Sequence, residues 1–246
     1  MGPIRVYKKA KPKIQSKFSL IFSYILLTMG VGFLLWAVYP MLSFELYAHF
    51  FFKRQPTSPL PNSQAITALE YAKSVYASTF LFSSNLRDFS DANIWFPKGI
   101  YSPLREPIDL KSYSISIPKL NLLNLKVEVG GEDLSKSLIH YLPLSEPGKF
   151  GNVSIFGHSS LPQLYNSSNY NTVFTYLPKM EIGDKIIVDV KGMNIEYEVY
   201  DMFIVKPTDI SVLEQKFDDS YLTLVTCVPP GTYKDRLIVK ARIKNN

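Results

Sequence analysis

The chain has 246 residues with an apolar fraction of 46%, enough to bury a real core in one large domain or two small ones. Its 16 Tyr, 16 Phe and 17 Pro against only 12 Gly, with no internal repeat, favour strands and ordered loops over a helical bundle or a disordered chain. The net charge of +6 does not mark a nucleic-acid binder, because Arg5, Lys8, Lys9, Lys11, Lys13 and Lys17 all precede the first acidic residue.

Residues 1–17 read as a basic tail, and an uncharged stretch follows at once, FSLIFSYILLTMGVGFLLWAVY, residues 18–39. As a helix it is about 33 Å long, which spans a hydrocarbon core of about 30 Å. A cleaved secretion signal would have a shorter apolar region and a small-residue cleavage site, and none is visible near Pro40. The expectation is therefore an uncleaved single transmembrane anchor, with Trp36 and Tyr39 at its far interface. The basic flank places the N-terminus in the cytoplasm and residues beyond Pro40 outside the cell membrane.

Residues 40–112 are expected to be an extracytoplasmic linker, a helical stalk or a lid. Residues 53–63 hold three prolines among polar residues and suit an extended spacer. Residues 64–82 place Ile66, Leu69, Ala72, Val75, Tyr76 and Phe80 near helical spacing, which predicts a short amphipathic helix. Residues 88–112, with prolines at 97, 103 and 107, read as irregular chain against the folded domain.

From residue 113 to 246 the pattern is that of strands. SYSISIPKL and LKVEVGG come first, then a short helical piece over residues 132–139. GNVSIFGHS, DKIIVDVKG, NIEYEVYDMFIV, YLTLVTC and RLIVKARI complete the set, separated by Gly-Asp, Lys-Gly, Pro-Gly and Asp-Asp turns. Seven or eight short strands with scarcely a helix predict an all-β closed barrel or sandwich and exclude an alternating parallel α/β fold.

The single cysteine, Cys227, ends the strand YLTLVTC, and Arg236 opens the next. An isolated Cys is usually a small buried hydrophobe, and a strand arginine usually faces water. The chemical alternative needs an imidazole, and of three histidines His158 is the best partner, since it also sits where a strand runs out into a loop. His49 reads as an interfacial residue and His140 as a hydrogen-bonding residue near a turn. Alternation puts Leu237, Val239, Ala241 and Ile243 on one face of the last strand and Arg236, Lys240 and Arg242 on the other. If Cys227 also points out of the core, it meets Arg236 on the outer surface of the barrel.

TLVTC (residues 223–227) followed by PPGTYKDRLIV (residues 229–239) resembles the active-site strand of sortases and the arginine strand after it, and GNVSIFGHS resembles their histidine strand. SIPKLNL, IHYLPLSEPGKFGN and VFTYLPKMEIGDKIIVDVKG are similar to the intervening segments in the same order. The resemblance covers residues 113–246 and implies a closed sortase-type β-barrel of about eight strands. It also implies a cysteine transpeptidase that cleaves an LPxTG-like C-terminal sorting signal between Thr and Gly and passes the acyl group to a cell-surface amine. On it, Cys227 is the thioester-forming nucleophile, His158 the general acid and base, and Arg236 the donor to the carbonyl oxygen. Thr226 stands beside the nucleophile as an oxyanion-positioning group, and residues 200–221 form the groove wall.

The partners implied are surface proteins bearing a sorting signal, an amine acceptor such as a peptidoglycan precursor, and the membrane through one helix. No cofactor and no metal are expected, since Asp133, Asp184, Asp218 and Asp219 read as scattered surface carboxylates. A pilin-polymerising enzyme is one alternative, against which the lack of a second apolar span weighs. A non-catalytic peptide-binding barrel is the other, and it has no need of an intact Cys227, His158 and Arg236 set.

Overall fold

The computed structural model describes residues 17–54, 90–95 and 108–244, and the chain divides into two compact units, residues 1–42 and 43–246. In the first unit the described residues are helical and belong to α1 (Lys17–Phe51). Phe18–Phe51 contains an 18-residue window with a mean hydropathy of 2.1 and is long and apolar enough to cross a membrane. The helix does not stop at residue 39. Pro40 lies inside it, and the apolar sequence after that proline keeps the helical ladder going at the cost of the one hydrogen bond a proline cannot donate.

The second unit is a closed barrel. Its strands are β2 (Ser112–Ile117), β3 (Leu122–Val129), β4 (Leu138–Tyr141), β5 (Gly151–Phe156), β6 (Lys185–Val190), β7 (Met193–Val205), β8 (Ser220–Val228) and β9 (Asp235–Ile243). They pair in the order β7-β6-β2-β3-β4-β5-β8-β9, and β9 pairs back onto β7, so eight strands close the ring. A two-residue strand, β1 (Lys53–Arg54), adds in parallel to β7 at Phe203 and Ile204, beyond the stretch of β7 that pairs with β6. The residues expected to begin an extended spacer are thus an extra strand. The amphipathic helix expected over residues 64–82 lies outside the described residues.

The helix expected over residues 132–139 is not formed. Residues 134–136 make a turn, and residues 138–141 become β4, parallel to β3 and antiparallel to β5. All four residues of β4 are buried, as are all six of β5. A strand covered on both faces shows no polar alternation, so the periodicity that reveals strands is missing from it.

Alternation sorts the barrel residues into two apolar clusters. Ile115, Leu138, Ile155, Leu222, Leu224, Leu237 and Val239 fill the interior, and Ala48 and Phe52 join them from the end of α1 and the residue after it. On the outer face Ile139, Tyr141, Phe156, Val225, Cys227 and Ile238 form a second cluster under Val212, Leu213, Ala92 and Trp95. Cys227, the candidate nucleophile, belongs to this second face.

Candidate active site

β8 and β9 are β-branched strands in antiparallel register, and that register sets Cys227 directly opposite Arg236. Both side chains point outward, as Val225 and Ile238 do. On the other flank of β8 lies β5 in parallel register, with Phe156 opposite Val225, and the chain leaves that strand through Gly157 into His158. A Cβ on Gly157 would stand 2.5 Å from Phe174 and 2.6 Å from Leu138, so only glycine lets the chain pass there. The three residues singled out by sequence thus gather at one end of the β5–β8–β9 surface. His49, exposed on α1, and His140, in the barrel wall, lie apart from them.

None of the three is open to solvent: Cys227 is 1% exposed, Arg236 4% and His158 6%. Their cover is Trp95, itself 1% exposed. Its ring centroid is 5.5 Å from that of His158 and 5.6 Å from that of Phe156, against which it stacks. The Arg236 guanidinium lies 5.3 Å from the same ring, and Arg236 Nη2 donates to the Trp95 carbonyl at 3.1 Å. Arg236 Nη1 donates to the carbonyls of Tyr233 (3.1 Å) and Asp235 (3.3 Å), which fixes the plane of the guanidinium.

Short ties hold the segment that carries Trp95. Ala92 N donates to Glu132 O and Leu134 N to Ser90 O, both at 2.9 Å, and the Asp91 carboxylate accepts from Asn93 N at 2.8 Å. No pattern in the sequence marks Trp95. It is one aromatic residue in an irregular, proline-rich stretch, and its role rests on a tertiary contact alone.

Burial governs the charges. It pushes the Cys227 thiol up, with the Arg236 charge acting against the shift. It pulls His158 down to about 4, opposed by the Asp133 carboxylate. Asp133 stays ionised, held at about 2 by Lys136 and by Ser135. In the covered site the pair is therefore a neutral thiol and a neutral imidazole, and His158 Nε2 has no hydrogen-bond partner.

Thr226, expected as an oxyanion-positioning group, immediately precedes Cys227 on β8. It is fully buried and alternates with Cys227, so its side chain leaves the opposite face of β8, and its hydroxyl donates to Gly157 O at 2.8 Å. That geometry ties β8 to β5 and does not present the hydroxyl on the Cys227 face. The groove wall expected over residues 200–221 divides into the end of β7, the connection 206–219 with one 3-10 turn at Ile210–Leu213, and the start of β8. Lys240 Nζ pins that connection by donating to Val212 O at 2.5 Å and Thr223 Oγ1 at 2.9 Å, and burial brings its pKa down to about 8. A cavity of about 400 Å³ bordered by Tyr200, Asp201, Glu214, Lys216 and Lys240 opens beside it, without Cys227, His158 or Arg236 in its lining.

The carboxylates weighed as a cation site are dispersed. Asp184 pairs with Lys119 (3.0 Å), Asp218 accepts from Tyr221 (3.1 Å) and Asp219 from Ser220 N (2.8 Å). Among the described residues no group of three or more His, Cys, Asp or Glu could hold a metal ion.

Comparison with known proteins gives a consistent family. The sortase-domain profile matches residues 115–244. The chain is similar to sortase SrtE1 of Streptomyces coelicolor, 30% identical over 99 residues that cover 37% of this chain and 26% of the relative. It is also similar to sortase D of Bacillus subtilis, 27% identical over 116 residues, 47% of this chain and 53% of the relative. The matched stretches thus span about a quarter and about half of those relatives' own length. Among solved structures, a Clostridium perfringens sortase D5 transpeptidase is 26% identical with a TM-score of 0.47, over 72% of this chain and 99% of that one.

Proposed function

Because the chain belongs to the sortase family, we propose that it is a membrane-anchored cysteine transpeptidase acting on an LPxTG-like C-terminal sorting signal, with α1 as its anchor, its N-terminus in the cytoplasm and its barrel outside. The observation that carries this reading is the cross-strand pair of Cys227 and Arg236 on the surface that His158 also borders. Amide cleavage needs a nucleophile, a proton for a poor leaving group and donors for the tetrahedral oxygen, and these three side chains supply one each.

Cys227 Sγ attacks the carbonyl between the signal's Thr and Gly once its proton has passed to His158. The tetrahedral oxygen takes the Arg236 Nη2 donor that the Trp95 carbonyl otherwise occupies. His158 returns the proton to the departing glycine amine, leaving a thioester on Cys227, and then accepts one from the incoming surface amine as that amine displaces the thiolate. Trp95 has to leave the surface before a peptide lies across it. Substrate selection falls to residues 206–219, which flank the outer face.

The test uses the full chain in detergent micelles with a panel of LPxTG-like peptides and hydroxylamine. The expected product is a peptide hydroxamate that disappears in Cys227→Ala and in His158→Ala. Hydroxamate formation that persists in Cys227→Ala overturns the nucleophile assignment. The covered thiol favours one other reading, a peptide-binding barrel without turnover, for which peptide would be retained on the protein and no hydroxamate would form.

A further inference from the structure

The two ladders that flank β8 end at different heights. On the β9 side the register continues through Thr226↔Leu237, Cys227↔Arg236 and Val228↔Asp235, so backbone hydrogen bonds fix the separation of Cys227 from Arg236. On the β5 side the last register pair is Phe156↔Val225, and the last backbone bond is Gly157 N donating to Val225 O at 3.1 Å. His158 and Cys227 both lie past that point. Nothing in the sheet itself sets how far the imidazole stands from the thiol.

Two side-chain hydroxyls bridge the gap in opposite directions. Thr226, next to the nucleophile, donates from Oγ1 to the carbonyl of Gly157, next to the histidine, at 2.8 Å. Ser159, next to the histidine, donates from Oγ to the carbonyl of Cys227 at 2.6 Å. Each hydroxyl belongs to a residue adjoining one reactive group and grips the backbone beside, or at, the other. Thr226 is fully buried, so no water competes for its bond.

We propose that Ser159 and Thr226 form a reciprocal clasp that replaces the missing ladder and sets the spacing across which His158 and Cys227 exchange a proton; both are positioning residues, and the inference rests on the transpeptidase reading above. A neutral hydrogen bond contributes little net to folding, whereas a misplacement of about 1 Å at a reacting centre costs about 100-fold in rate. The clasp is therefore expected to act on turnover and on the thiol as well as on stability. A pair of bonds that only tidied the strand ends would move Tm alone.

The experiment compares Ser159→Ala and Thr226→Val, which lose the donors, with Ser159→Thr and Thr226→Ser, which keep them, all in the full chain in micelles. With a sorting peptide, each donor-less variant is expected to lose about tenfold in kcat, which is about 1.4 kcal/mol of barrier. KM should move by less than about twofold and Tm by only about 4 °C, and the donor-keeping variants should recover most of the rate. A second readout does not depend on peptide chemistry: the pH dependence of Cys227 alkylation by iodoacetamide, followed by mass spectrometry between pH 5 and 10. Its midpoint should rise by about half a unit or more in Ser159→Ala and Thr226→Val and stay put in the donor-keeping pair, because a thiolate formed at Cys227 while Trp95 is displaced accepts from the imidazole N–H, and an imidazole that has drifted no longer reaches it.

An unmoved midpoint, or a loss in Thr226→Ser as large as in Thr226→Val, overturns the clasp. If wild type transfers no peptide but the midpoints shift as stated, the transpeptidase reading fails and the clasp stands. Should Thr226→Val not fold, Ser159→Ala decides the matter alone, since Ser159 is only half-buried.

Discussion

The barrel interior and the outer-face cluster are both fully apolar at their centres, yet they are built in different ways. The interior is enclosed by the strands themselves, with Ile115, Leu138, Ile155, Leu224 and Val239 each at 1% exposure or less. The outer cluster is half borrowed. Phe156, Val225, Cys227 and Ile238 come from strands, but their cover comes from Ala92, Trp95, Val212 and Leu213, which lie on connections. Short segments with few backbone ties open at lower free energy than a closed sheet does. The site therefore sits in the part of the molecule that can be uncovered without unfolding.

Replacing Arg236 probes the outer cluster most severely. Arg236→Lys keeps the charge but loses the planar fork that reaches the carbonyls of Trp95, Tyr233 and Asp235. A loss of roughly 100-fold in hydroxamate formation is expected; near-normal rates would mean that the residue is only an ion on a strand. Next come two core truncations that the comparison separates. Leu224→Ala, inside the barrel, should cost about 2 to 5 kcal/mol in urea unfolding and leave native-state alkylation of Cys227 slow. Trp95→Ala should instead raise the alkylation rate by about tenfold or more relative to its change in global stability. Equal acceleration by both variants would erase the distinction between a sealed core and a removable cover.

The sequence makes the interior legible and hides most of the cover. Alternation exposes Leu237, Val239 and Ala241 as one face and Arg236 as the other, and the strand ends point to Cys227 and His158 because reactive groups gather where strands run into loops. β4 escapes because its four residues are buried on both faces, and the extent of α1 escapes because Pro40 reads as a stop. Trp95 and the Ser159 bond depend on which distant backbone arrives beside them. No local pattern encodes that.

Acid separates the two regions by a smaller effect. Burial holds His140 at about 3 and His158 at about 4, both below the usual 6.5, so the unfolded chain takes up protons that the folded one resists. Stability is complete above about pH 6.5 and falls as pH drops toward those values, by about 3 to 5 kcal/mol for each imidazole. His140 belongs to the barrel wall, against Tyr113, with neither ring nitrogen hydrogen-bonded. His140→Leu should remove its share of the decline between pH 7 and pH 4, and the acid sensitivity that remains in urea midpoints is that of His158 together with the onset of carboxylate protonation at Asp133 and Glu196. No change in slope would mean that His140 is hydrated in solution.

The smallest effect concerns the ion pair at the start of β9, Lys206 Nζ to Asp235 Oδ1 at 2.6 Å. The lysine side chain is 59% exposed while the Asp235 side chain is 5% exposed, so Lys206→Arg, which keeps a cation on the buried carboxylate, should cost no more than about 1 kcal/mol and leave alkylation of Cys227 alone. A larger thiol response would tie the β8–β9 turn to the cover.

The sequestered thiol also bears on how long the protein survives in working order. A chain with a single cysteine has no second thiol to capture a sulfenic acid as an internal disulfide, so each encounter with peroxide moves Cys227 toward acids that are not reversed. At 1% exposure under the Trp95 indole, the sulfur meets oxidant only while the indole is displaced. If peptide is what displaces it, the thiol is at risk mainly during the intervals in which it is at work. Its useful lifetime is then counted in openings and not in hours.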